Sequence, residues 1–128
     1  MRRALLIGFG GFLGTIARYA LGEVICRLKH PAVFPYEIIV VNVLGCLAIG
    51  FLAGLAVSRG FFSESTRAFL FIGILGGFTT FSSFAHATMQ LLHDGHPSAA
   101  IWSLISQVVL AFGAVWIGEL AALHLSGI

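Results

Sequence analysis

Residues 76–84 read GGFTTFSSF: two adjacent glycines, four hydroxyl side chains and three phenylalanines, inside a stretch otherwise oily enough to cross a bilayer. Gly76 and Gly77 are poor helix formers, and the β-branched pair Thr79 and Thr80 follows at once, so a helix break is expected here. In hydrocarbon, freed N–H and C=O groups are tolerated only where protein, water or ions receive them. Freed carbonyls are hard oxygen ligands for a small cation, whereas hydroxyls and amide N–H groups suit an anion. Taken singly, Thr79, Thr80, Ser82 and Ser83 would bond back to their own helix, and phenylalanines fill space. Polar atoms this dense need partners that one helix does not supply.

Asn42, an amide within IIVVNVLG, is the second outlier. It is either interhelical glue, contributing about 1 kcal/mol, or a pair of N–H donors for an anion. Phe81 and Phe84, spaced three apart, project from one side of a helix, and a ring turned edge-on attracts an anion weakly. Weak donors fit throughput, because a pore must release what it binds. Arg18 sits near the end of its apolar run, where it snorkels to the interface or concentrates anions at a pore mouth. Glu23, Glu37, Glu64, Asp94 and Glu119 all fall near span ends, and His86 is the sole histidine well inside a span. A lone histidine there is more often a hydrogen-bonded packing residue than a proton relay. His93 and His96 flank Asp94 in a solvated turn, and no nucleophilic triad or metal-ligand set assembles, so no enzyme is expected.

The elements that must position these residues follow from composition. With 128 residues, 59% hydrophobic and 9% charged, the chain reads as an all-α membrane protein. Four transmembrane helices are predicted at about residues 4–22, 37–58, 68–92 and 98–122, a single membrane domain with no soluble part. The connectors KHPAVFP, SRGFFSESTR and HDGHP carry the breakers. The start MRRALLIGFGGFLGTIA has the look of a secretory signal, but three further spans make a first transmembrane helix the simpler account. A net charge of +2 is too small and dispersed for nucleic acid. Cys26 and Cys46 suggest no disulfide.

Gly10, Gly14, Arg18 and Gly22 recur every fourth residue on one face of the first span. Asn42, Gly45, Cys46, Ile49 and Ala53 form a stripe on the second, and Gly73, Gly77, Thr80, Phe84 and Thr88 one on the third. Ser103, Ser106 and Gln107 lie on one side of the last. Close helix packing explains most of the glycines. Four packed helices fill their own centre, so a pathway is expected between subunits or along a narrow polar track, and a homodimer with it. Arg2, Arg3, Arg59 and Arg67 on one membrane side oppose Arg27 and Lys29 on the other. That bias is weak enough for the chain to insert either way round.

Over essentially its whole length the chain resembles the small Fluc (CrcB) family of fluoride channels, through GGFLGTIARY, VNVLGCLAIGFLAG and GILGGFTTFSSF. The resemblance implies an antiparallel, dual-topology homodimer in the bacterial inner membrane, with multi-pass subunits that pass fluoride passively and lower cytoplasmic fluoride. Position by position, Phe81 and Phe84 match the family's paired pore phenylalanines, Asn42 its pore asparagine, and Ser82 and Ser83 its polar-track hydroxyls, with Thr80 assisting. Gly76 and Thr79 match the backbone carbonyls that hold a structural sodium ion at the dimer centre, and Arg18 matches the vestibule arginine. Many relatives carry a glutamate where this chain reads Ala85, His86 and Ala87, and a hydroxyl expected in the last helix is Ala111, with Ser106 and Gln107 one turn earlier. Two rivals are a small proton-coupled multidrug exporter, which needs a mid-membrane carboxylate, and a non-transporting assembly subunit whose polar residues are only glue.

Overall fold

The structure is a computed structural model describing residues 1–28, 33–60 and 62–127, and it is helical throughout with no strand among the described residues. Helix α1 spans Arg2–Leu28 and α2 spans Tyr36–Arg59. The third span begins as α3 (residues 64–78), stops, and resumes as α4 (Phe81–His93), while α5 covers Pro97–Ser126. Four helical stretches are long and apolar enough to cross a membrane: Arg2–Leu28, Tyr36–Val57, Glu64–His93 and Pro97–Ser126. Each starts before the boundary expected from hydropathy alone, and all but the second also end beyond it, because polar residues at the ends remain helical. Lys29, counted in the charge comparison, lies outside the described residues.

Local chemistry sets the ends. Gly60 closes α2 in the left-handed region at φ 61, and Gly95 turns the chain at φ 77 before Pro97 opens α5. The Ser63 hydroxyl caps α3 by accepting from Thr66 N at 3.2 Å. An ion pair between Arg3 and Glu64 ties the start of α1 to the start of α3, so those two ends share one side, as the charge grouping required.

Glycines bring the helices into backbone contact. α1 lies against α3, where a Cβ on Gly10 would meet the Phe69 carbonyl at 2.8 Å, one on Gly77 would meet the Gly11 carbonyl at 2.6 Å, and one on Gly14 would overlap the Ile74 carbonyl. α2 runs along α5 in the same way, with Gly50 against Val115 and Gly118 against Leu47. Gly22 is different: open space surrounds it, so the four-residue spacing marks contact at Gly10 and Gly14 but not at Gly22. Gly22 instead lines a small cavity with Arg18, Glu37 and Ile38.

Within the segment expected to break, the interruption falls at Thr79 and Thr80 and not at the glycine pair. Gly76–Phe78 is α-helical, and Thr79 (φ −84, ψ 156) and Thr80 (φ −150, ψ 114) are the extended residues. Gly77 is kept for its contact with Gly11 rather than for flexibility, and β-branched residues take the extended conformation readily. Upstream, Ala68–Leu75 is wound as a π-helix, an apolar segment in which the sequence holds no proline or polar cue.

Packing of this kind is directly testable. Gly14→Ala places a methyl on the Ile74 carbonyl and is expected to lower stability by about 1–3 kcal/mol, read as a reduced unfolding midpoint in detergent. Gly113→Ala, into open space, is expected to leave that midpoint unchanged.

Candidate functional site

Among the described residues four polar side chains are buried: Asn42, Thr88, Ser103 and Gln107. They lie on α2, α4 and α5, along the seam that the interrupted third span leaves open. Thr88 and Ser103 satisfy each other at 3.3 Å. Asn42 and Gln107 do something else.

Stopping a helix at Phe78 and restarting it at Phe81 frees backbone groups on both sides. Asn42, only 5% exposed, receives two of them on one residue. Its Oδ1 accepts from Thr80 N at 2.8 Å, and its Nδ2 donates to the Thr80 carbonyl at 3.0 Å. The second N–H of Nδ2 donates to Gln107 Oε1 at 3.3 Å. Because the Thr80 N–H can only donate, it fixes which end of the Asn42 amide is oxygen. The two sequence readings of Asn42 are thereby separated: in this conformation both its donors are held by protein.

Two further carbonyls at the break are met from α1. Arg18 Nη1 donates to the Thr79 carbonyl at 3.3 Å, and Thr15 Oγ1 donates to the Gly77 carbonyl at 3.5 Å. Thr79 bonds backward, its N and its hydroxyl both donating to the Leu75 carbonyl at 3.0 and 2.9 Å. Thr80 N, committed to Asn42, leaves the Gly76 carbonyl with no donor among the described residues. Arg18 is thus part of the bracket around the break as well as a cation near its end.

On the far side, Thr80 caps α4. Its hydroxyl accepts from Ser83 N at 3.2 Å, donates to Ser83 Oγ at 3.0 Å and lies 3.3 Å from Ser82 Oγ. Three hydroxyls therefore cluster at the positive end of a thirteen-residue helix, where a negative charge is favoured. Phe81 and Phe84 contact edge to face, ring centroids 5.7 Å apart at 67°. They differ sharply in burial: Phe84 is 3% exposed and Phe81 77%.

Two cavities meet at the break. The first, about 280 Å³, is lined by Asn42, Gly76, Thr79, Thr80, Phe81, Phe84 and Gln107, among others. The second, about 100 Å³, holds Arg18, Glu37, Thr80 and Ser83. The structure thus gathers Asn42, Phe81, Phe84, Thr80, Gly76 and Thr79 at one cavity and Arg18 with Ser83 at the other, Thr80 touching both. Ser82 lines neither, but its hydroxyl reaches that of Thr80. His86 is exposed and has no hydrogen bond among the described residues, so the packing role a lone membrane histidine usually takes is not filled here. Among the described residues no cluster of His, Cys, Asp or Glu could hold a metal. Gln107 is the residue whose part sequence reasoning left blank; its place one turn before Ala111 was the available signal. Ser106, its neighbour, turns away and donates to the Trp102 carbonyl at 2.6 Å.

Asn42→Leu strands the Thr80 N–H and C=O together, at about 1–3 kcal/mol each. A clearly lowered unfolding midpoint in detergent is expected, and Asn42→Asp should be no better, since it sets a carboxylate oxygen against the Thr80 carbonyl. A wild-type midpoint in the leucine variant would contradict the bracket.

Known proteins are similar to this chain over nearly its whole length. The model of the family described as CrcB-like protein, Camphor Resistance (CrcB), matches residues 5–119. The fluoride-specific ion channel FluC of Methylobacillus flagellatus is 40% identical over 118 residues, 92% of each chain. The FluC of Chlorobium chlorochromatii is 42% identical over 123 residues, 96% of this chain and 94% of that one. A third relative, FluC of Opitutus terrae, is 40% identical over 126 residues, covering 97% and 95%. With its four apolar helices and a break bracketed by Asn42, the chain belongs to the CrcB family.

Proposed function

We propose that this multi-pass membrane protein is a fluoride-selective channel through which the anion passes down its gradient, lowering cytoplasmic fluoride. The observation that carries this reading is the restart of the third span: a helix N-terminus, three clustered hydroxyls and two phenylalanines in edge-to-face contact at one break. The donors at the helix start itself, the hydroxyls of Thr80, Ser82 and Ser83, are uncharged, so a small anion is stabilised there without being trapped. Its relatives are named as fluoride-specific channels, which supports the choice of anion. The pathway runs by Arg18 at the mouth, past Ser83, Thr80 and Ser82, to Phe81, Phe84 and Asn42. No covalent step is involved. The proton-coupled exporter is disfavoured because neither cavity at the break brings a carboxylate to the Phe81–Phe84 pair; Glu37 lies with Arg18 on the other side.

The working unit in this reading is an antiparallel homodimer. Phe81, 77% exposed, is a large apolar ring at the edge of the polar break, where a second copy would cover it. A sodium ion fits the same arrangement. The Gly76 carbonyl is free of helical donors, and Thr79, whose carbonyl retains a lone pair beside the Arg18 contact, lines the same cavity. Two oxygens from one chain are too few for a hard cation, and a second copy doubles them. Bound sodium would tie the two breaks together electrostatically.

Purified protein in vesicles is expected to release fluoride far faster than protein-free vesicles, with no matching release of chloride. Phe81→Ile, which removes the aromatic ring from the pathway, is expected to be near-null for fluoride efflux. Efflux equal to protein-free vesicles would remove the channel reading, and proton-dependent uptake of a cationic dye would favour the exporter. Separately, exchanging sodium for a bulky organic cation during purification is expected to lower the unfolding midpoint, and sodium should restore it. An unchanged midpoint would remove the ion from the account.

A further inference from the structure

Charge and hydrocarbon surface meet at the starts of α1 and α3. Arg3 on the first helix and Glu64 on the second form an ion pair, while Arg2 has no carboxylate partner among the described residues. Arg67 is exposed one turn further along α3, so three arginines stand at these two helix starts against one glutamate. A cavity of about 580 Å³ opens beside them, lined by Arg2, Arg3, Leu5, Leu6, Phe9 and Ser65. Its chemistry changes along α1: guanidinium groups in the first turn, apolar side chains over the next two. Leu5 and Phe9 are 72% and 58% exposed, and Phe12 and Ile16 carry the same uncovered face on toward the membrane centre. Such a face meets acyl chains, and an arginine at its end reaches the headgroup layer.

We infer that the starts of α1 and α3 form a binding site for an anionic phospholipid: Arg2 takes the phosphate, the Ser65 hydroxyl donates to it from the neighbouring helix, and an acyl chain lies along Leu5, Leu6 and Phe9. The cavity selects an amphipathic occupant. A soluble anion leaves the apolar wall unused, and a lipid without net charge leaves Arg2 uncompensated. Arginine suits the task because its planar fork grips two phosphate oxygens at once. Arg3, held by Glu64, forms part of the wall and adds little net charge. The headgroup then bridges the two helices that this ion pair already joins. None of the six lining residues borders either cavity at the break, so lipid binding and conduction are separate properties.

Titration of delipidated full-length protein in non-ionic detergent, with bound lipid counted by native mass spectrometry, tests this. Dioleoylphosphatidylglycerol is expected to bind about fivefold tighter than dioleoylphosphatidylcholine, which has the same chains but no net charge; that is the effect of one arginine at a membrane surface. Arg2→Gln should erase the preference, whereas Arg27→Gln, the same loss of charge at the opposite end of α1, should leave it intact. Glycerol 3-phosphate, which has the phosphate without the chains, should not compete. Equal affinity for the two lipids, an equal loss in the two arginine variants, or competition by glycerol 3-phosphate would each overturn the inference. Leu5→Asn separates a lipid from a second copy of the chain. It should weaken phosphatidylglycerol binding with the oligomeric state unchanged; a changed oligomeric state with lipid affinity retained assigns the face to the second copy and overturns the lipid site.

Discussion

One amide side chain supports the interrupted third span. Within hydrocarbon an unpaired backbone N–H or C=O costs several kcal/mol, so a gap between Phe78 and Phe81 is stable only if its groups are received. Asn42 takes both the donor and the acceptor of Thr80, which no hydroxyl or charged side chain could do with the same reach. The rest of the site is built outward from that pair of bonds. Thr80, held extended, becomes the cap of α4; the cap gathers Ser82 and Ser83; and the start of α4 places Phe81 against Phe84.

The scaffold answers to the same constraint. Bringing the Asn42 amide within 3.0 Å of the break requires the helices to approach closely, and Gly45 of α2, a turn after Asn42, lies under Thr79 with no room for a Cβ. On the opposite side, Gly10, Gly14 and Gly77 bring α1 close enough for Thr15 and Arg18 to reach the Gly77 and Thr79 carbonyls. The glycines and the polar residues are thus two parts of one arrangement: small residues set the distance, and amide, hydroxyl and guanidinium groups fill the vacated hydrogen bonds.

Much of this was legible in the sequence, and the gaps have physical causes. Hydropathy located all four helical stretches, since length and apolar composition alone decide what spans a bilayer. Low helical preference across Gly76, Gly77, Thr79 and Thr80 marked the third span as interrupted, but it did not say which pair would leave the helix; tertiary contact with Gly11 keeps Gly77 helical, and the gap falls at Thr79 and Thr80. The partner of Asn42 was not readable, because its bonds cross 38 residues to Thr80 and 65 to Gln107. Gln107 stood out only as a polar residue one turn from where a hydroxyl was expected.

A channel differs from a transporter or an assembly subunit in what sets its equilibrium. If the break, the capped helix and the ring pair form a passive path for one anion, current through the reconstituted protein must vanish at the electrochemical equilibrium of that anion. The decisive measurement is the reversal potential in a planar bilayer with unequal fluoride and equal chloride on the two sides. The account requires reversal at the Nernst potential of fluoride, unmoved when a chloride gradient is added. Reversal that follows chloride or protons, or no current above the bare bilayer, would contradict it.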